Sequence, residues 1–184
     1  MSSSSSIFSL STAEKNYLYL MTQPFKYGTL LYRASRDGFT AKAFHDRCDN
    51  VPNTVTIIRN NLNFIFGGFT SARWSSTLGS ISDSNAFIFS LRRNWVLNNN
   101  KLMIKSGETY NAIYGLSSYG PTFGDGRDIY IRDLSNTNTG SFSNILSYTA
   151  PTYPSGSDSK TFLTGGFGNW LTTEIEVIQL SSSG

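Results

Sequence analysis

"YGPTFGDGRDIYIRD", Tyr119 to Asp133, holds three glycines, a proline and three aspartates in fifteen residues and then runs into an alternating apolar stretch. Its reading decides the fold, because that composition serves a metal loop, a phosphate loop or the turn chemistry of a β-protein. An EF-hand loop needs acidic or amide ligands at alternating positions followed by a bidentate Glu, and Asp125, Asp128 and Asp133 do not have that spacing. A phosphate-cradling loop feeds a helix N-terminus, whereas this one feeds the strand-like "IYI". The structural reading is therefore preferred over a weak cation site. Gly124 and Gly126 supply backbone freedom for a tight connection, Pro121 presets a turn, and Asp128 and Asp133 stand at either end of "IYI" on its polar side.

Working outward, the segments that follow residue 50 are short and strand-like. "NTVTIIRN" and "NFIFGGF" flank a turn at Asn60-Asn61, and "NAFIFSL", "KLMIK", "NAIYGL", "RDIYIRD" and "EIEVIQL" follow with Gly, Asn, Asp and Pro between them. Two helices precede them. Ser11 three residues before Glu14 makes a capping box for a helix over 11–22, with Tyr17, Leu18, Leu20 and Met21 as its apolar positions and Pro24 beyond its end. A second helix is expected over 37–48, capped by Asp37 or Ser35 and burying Phe39, Ala43, Phe44 and Cys48. This pattern predicts an α+β, mostly β fold: a two-sheet antiparallel β-sandwich flanked by short helices. No internal repeat of fixed period is present.

The bulk composition bounds the rest. A chain of 184 residues with 39% hydrophobic content supports one core, so a single domain over 10–180 is expected. The Ser-rich ends 1–9 and 181–184 read as tails. Charged residues make up 15%, against roughly 25% in an average soluble domain, so Ser, Thr, Asn and Gly must form much of the surface. The net charge is +3, but the basic residues are scattered except for Arg92-Arg93 and Lys101 with Lys105; no nucleic-acid footprint is expected. No stretch reaches the roughly 18 apolar residues of a membrane span, and no signal peptide is recognisable. The expected location is cytoplasmic, with an extracellular or assembly-bound one as the alternative.

Candidate chemistry is sparse. One cysteine, Cys48, rules out an internal disulfide, and one histidine, His45, rules out paired-His metal ligation. His45 and Cys48 are three apart on the expected helix but lack an orienting third residue, so Cys48 reads as a small buried hydrophobe and His45 as a half-exposed polar residue. A redox-sensing Cys48 would need thiolate character, exposure and an intermolecular partner. Glu174 and Glu176, two apart on a strand, share a face about 7 Å apart and suit cross-strand pairing to Lys or Arg better than glycosidase chemistry. No nucleophile elbow, zinc motif or nucleotide fingerprint is present, so no catalytic residue, metal or cofactor is expected.

Taken in order, "LLYRASRDGFTAKAFHDRCDN", "TVTIIRNNLNFIFGGFTSARW", "DSNAFIFSL", "YGPTFGDGRDIYIRD", "SNILSYTAP" and "FLTGGFGNWLTTEIEVIQL" resemble the TLDc domain over about residues 10 to 180. The resemblance implies a two-sheet sandwich, no accepted enzymatic mechanism, and membership of a group associated with oxidation resistance and with binding to the vacuolar proton pump, the V-ATPase. It implies a non-catalytic protein-binding module. Most members carry a companion LysM, TBC or EF-hand module, and functions that need one are not expected of the domain alone. Loops from Arg33 to Gly38, Gly67 to Trp74 and Gly120 to Arg127 are the expected contact surface, with Arg33, Arg36, Asp37, Arg73, Trp74, Asp125 and Arg127 as its residues. The partner is then a V-ATPase peripheral subunit. The alternative is a structural protein that assembles with copies of itself into a filament or lattice, with a mineral surface as a further partner, because a low-charge surface weakens self-repulsion.

Overall fold

The computed structural model of the chain describes residues 10–125 and 127–182. Its elements in chain order are α1 (Thr12–Met21), β1 (Tyr27–Arg33), α2 (Ala34–Asp37), α3 (Ala41–Cys48), β2 (Thr54–Asn60), β3 (Ile65–Thr70), β4 (Gly79–Ile81), β5 (Phe87–Arg93), β6 (Val96–Met103), a 3-10 turn (Ser106–Asn111), β7 (Ile113–Gly115), β8 (Tyr119–Phe123), β9 (Ile129–Arg132) and β10 (Thr172–Ser181). They form two antiparallel sheets, one of six strands in the order β1-β10-β2-β3-β5-β6 and one of four in the order β4-β7-β8-β9. This is the mostly β sandwich expected from the sequence.

The central strands β2 and β3 are buried along almost their whole length because the large sheet is covered on both faces. Ile58, Phe66, Ile88, Ile175 and Val177 point into the core between the sheets, where Ile113, Phe123, Ile129 and Ile131 of the small sheet meet them. Val55, Ile57, Ile65, Phe69, Phe87, Phe89 and Leu91 point the other way, into a second core roofed by Leu18 and Met21 of α1. Hence "TVTII" reads as an apolar run rather than a clean alternation. Gly68 lets the sheets approach: a Cβ there would come within 2.5 Å of the Phe123 ring.

The first helix forms as its sequence dictates. Ser11 and Glu14 complete the capping box, and Glu14 also takes a forked pair of hydrogen bonds from Arg92 at 2.7 and 2.8 Å, fastening α1 across the large sheet. The second helix corrects the expectation. It is two pieces, α2 and α3, broken at Gly38, whose φ of 100° ends α2. Thr40, not Asp37 or Ser35, caps α3 by accepting from the Ala43 N–H. Asp133 adds a second acceptor for the same helix start, at 2.7 Å from the Ala41 nitrogen.

Three strands were not expected. β1 is an exposed edge with few buried positions, β4 has three residues, and β8 contains the Gly120-Pro121 pair that reads as a turn. Pro121 lies within β8, where its pairing with β9 shifts register between Tyr119 and Thr122, so the missing N–H interrupts no regular ladder. At the C-terminal end, Ser181 belongs to β10 and pairs with Tyr27, so the last strand reaches into the segment expected as a tail. The expected tail 1–9 lies outside the described residues. No helix among the described residues is long and apolar enough to cross a membrane.

Candidate partner-docking surface

α3 is the hub around which the predicted contact loops gather. Ahead of it, β1 ends at Arg33, which faces Glu176 across the ladder and closes on it at 2.6 and 2.8 Å. Glu176 is buried, so the pair is internal rather than a polar strand face. Its neighbour Glu174 accepts from the N–H and hydroxyl of Ser35 in the first turn of α2. Asp37 is held from three sides: it accepts the Arg33 N–H, a forked pair from Arg36, and a contact at 3.1 Å from Arg47 on α3. The Arg36 fork keeps the Asp37 carboxyl below the usual carboxylate range, aided by the Arg33 N–H. Arg36 also reaches the Leu31 carbonyl, leaving its side chain half exposed, as is that of Arg47.

His45 ties the helix to the small sheet. Nε2 faces the carbonyls of Leu116 and Tyr119 at 2.9 and 3.0 Å, and Nδ1 faces Asp49 at 2.7 Å. The ring is buried, not half-exposed as its sequence context suggested. Cys48 is fully buried, and desolvation followed by the Asp49 charge pushes its thiol pKa far up. After the helix, Asn50 donates to the Trp74 carbonyl and its own carbonyl accepts from Arg73, so the Ser71–Arg73 bend is stitched to the end of α3.

The 119–133 stretch is strand, turn and strand. Gly124 has φ 78°, and a Cβ there would lie 2.0 Å from Asp128 Oδ2. Gly126 lies outside the described residues. Asp128 is not on a polar face: it is fully buried, and one of its oxygens accepts the N–H groups of Leu146, Ser147 and Tyr148 at 2.7 to 3.0 Å. Burial raises its pKa against the opposing pull of those N–H groups. No group of three or more His, Cys, Asp or Glu among the described residues is placed to hold a metal.

The predicted contact residues therefore divide. Arg36, Arg73 and Asp125 are exposed, and Arg127 is half-buried with its guanidinium over the Tyr119 and Tyr130 rings. Arg33 and Asp37 have their charges engaged inside the chain. Trp74 must be withdrawn: it is fully buried between Phe44 and Phe123, and its indole N–H donates to Thr54. Gly67 to Thr70 and Gly120 to Phe123 are likewise strand rather than loop. The sequence reading missed Arg47, whose place on the outward side of α3 is legible from the helical period once Phe44 and Cys48 are set inward. It also missed a chain of ring contacts on the outer face of the small sheet, Tyr114–Tyr119–Tyr130–Phe142–Phe167, with centroid steps of 4.8 to 6.0 Å.

The architecture is a two-sheet sandwich with loops braced on one short helix, and among the described residues its exposed charges are mainly those of Lys and Arg side chains. Comparison with protein-family models matches the TLDc domain over residues 1–181, and the chain belongs to that family. Comparison with curated proteins gives no match.

Proposed function

We propose that this chain is a non-catalytic protein-binding module that docks on a peripheral subunit of the V-ATPase, and that it serves V-ATPase regulation or oxidative-stress protection through that contact rather than through thiol chemistry. The observation that carries the reading is the charge layout around α3: the side chains of Arg36, Arg47 and Arg73 are exposed, the Asp37 side chain is buried under its pairs with Arg36 and Arg47, Glu176 is buried with Arg33, and the one exposed carboxylate on α3, Asp46, is paired with Lys42. Such a layout selects an acidic partner surface and steers its approach. Family membership supports the pump as that partner. In a pull-down with purified V-ATPase peripheral subunits, wild-type protein recovers one of them, and Arg36→Glu with Arg73→Glu, still folded by circular dichroism though less stable for the lost Asp37 and Asn50 contacts, weakens recovery about ten-fold. Recovery of nothing removes the pump; undiminished recovery by the double variant removes this surface.

A second reading, self-assembly, is favoured by one feature. Trp95 and Val96, 73% and 67% exposed, lie at the start of edge strand β6, and Trp95 holds φ 73°, a conformation unfavourable for a bulky residue. Light scattering that rises with protein concentration and falls to the monomer value in Trp95→Ser supports it. A monomer at every concentration sinks it.

A further inference from the structure

On the face of the large sheet away from the small one, α1 covers only a strip. Beyond its C-terminus a cavity of about 380 Å³ opens between the Met21–Phe25 segment and the ends of β3, β5 and β6. Its apolar wall is Met21, Phe25, Phe69, Phe87 and Met103, in which Phe69 stacks on Phe87 at 5.2 Å and Phe25 meets Phe69 at 5.7 Å. Its rim carries the amides of Gln23, Asn53 and Asn85. The volume is at the lower end of the roughly 300–1,000 Å³ typical of small-molecule sites, and an apolar wall with a few polar groups is their usual character.

One charged group enters it. Lys101 comes across from β6, places its ammonium 4.0 Å above the centre of the Phe87 ring and donates to the Met21 carbonyl at 2.8 Å. An ammonium has three N–H donors, and among the described residues no carboxylate pairs with this one. Asp83, which accepts from Ser71 and from the Asn85 N–H and so fixes that side of the rim, is saturated by them and Thr70 and does not line the cavity. Lys101 is exposed as a residue, and partial desolvation lowers its pKa, a shift that a bound anion opposes.

We propose that this cavity binds a small organic carboxylate with an aromatic or aliphatic body, its carboxylate on the Lys101 ammonium and its body against Phe25, Phe69 and Phe87. A single cation beside neutral amides suits one negative charge; a phosphate ester would bring more charge than the wall can answer. The site shares Phe69 and Ser71 with the 67–74 segment, but none of Arg36, Arg47 and Arg73 lines it, and it does not depend on the pump reading.

The test titrates isotopically labelled protein with 3-phenylpropionate and, separately, with the neutral 3-phenylpropan-1-ol, following the amide signals of Asn53, Ser71, Asn85 and Lys101. The carboxylate is expected to saturate those shifts at a concentration about ten-fold below the alcohol, the worth of one charge-assisted hydrogen bond. Lys101→Met, which keeps the apolar stem, is expected to erase the preference. Equal affinities in the wild type, no shifts with either probe, shifts confined to other parts of the molecule, or a preference that survives Lys101→Met overturns the proposal. The wild-type comparison stands whether or not the variant folds.

Discussion

Gly124 carries two constraints at once: a positive φ that side chains resist and a carboxylate oxygen in the space a Cβ would need. Gly124→Val is therefore expected to lower the melting temperature sharply, by backbone strain and by displacing Asp128 from the three N–H groups it serves. Asp125 at the same turn is exposed, and Asp125→Asn is expected to leave stability unchanged within about 0.5 kcal/mol. Calcium is expected not to move the melting temperature, since a ligand held only by the native state must raise it; a rise abolished by Asp125→Asn would make this turn a cation site. Asp37 supplies the pH dependence. Its folded pKa is depressed by Arg36, so the unfolded chain takes up the proton first on acidification. The stabilisation is fully present above the unfolded carboxylate pKa of about 4 and is lost as pH falls through the lower folded value. The urea midpoint of wild type should thus exceed that of Asp37→Asn near neutral pH, and the gap should close on acidification. A gap independent of pH would show that the charge contributes nothing.

Among the elements, α3 joins more of the molecule than its eight residues suggest. Phe44 is buried edge-on against Trp74 at 5.1 Å and against Tyr32 at 6.0 Å, so it links the helix to both the 71–74 bend and β1. Phe44→Ala is expected to cost about 3–5 kcal/mol in denaturant unfolding, because neither neighbour can collapse into the space. A loss under about 1 kcal/mol would mean that the helix does not anchor there. The break between α2 and α3 was hidden in "SRDGFTAKAF" because Asp37 and Ser35 are good caps by type, as is Thr40. Choosing among them requires the position of Asp133, far along the chain, whose carboxylate takes the Ala41 N–H.

At the scale of the whole molecule, the distance between the two sheets is set at Gly68, where the Phe123 ring rests directly on β3. Gly68→Ala adds a methyl that the ring must yield to. It is expected to cost about 1–3 kcal/mol, the usual range for overpacking a filled core. Phe123→Leu in the same chain should recover part of the loss, measured as a double-mutant coupling. Strict additivity of the two changes would show that this contact does not set the spacing.

The sequence by itself determined what depends on near neighbours. The capping box at Ser11, the turns at Asn60-Asn61 and Gly124, the apolar runs of β2 and β5 and the alternation of β9 and β10 are all local, and together they specify a β-sandwich with flanking helices. Tertiary structure decided whatever depends on which distant group arrives: the pairing of Glu176 with Arg33, the burial of Asp128 under the 146–148 backbone, the sealing of Trp74 between two rings, and the Lys101 cavity. Backbone N–H groups and carbonyls are the partners in many of these contacts, and every residue type except proline offers both, so nothing in the residue letters marks where they will be used.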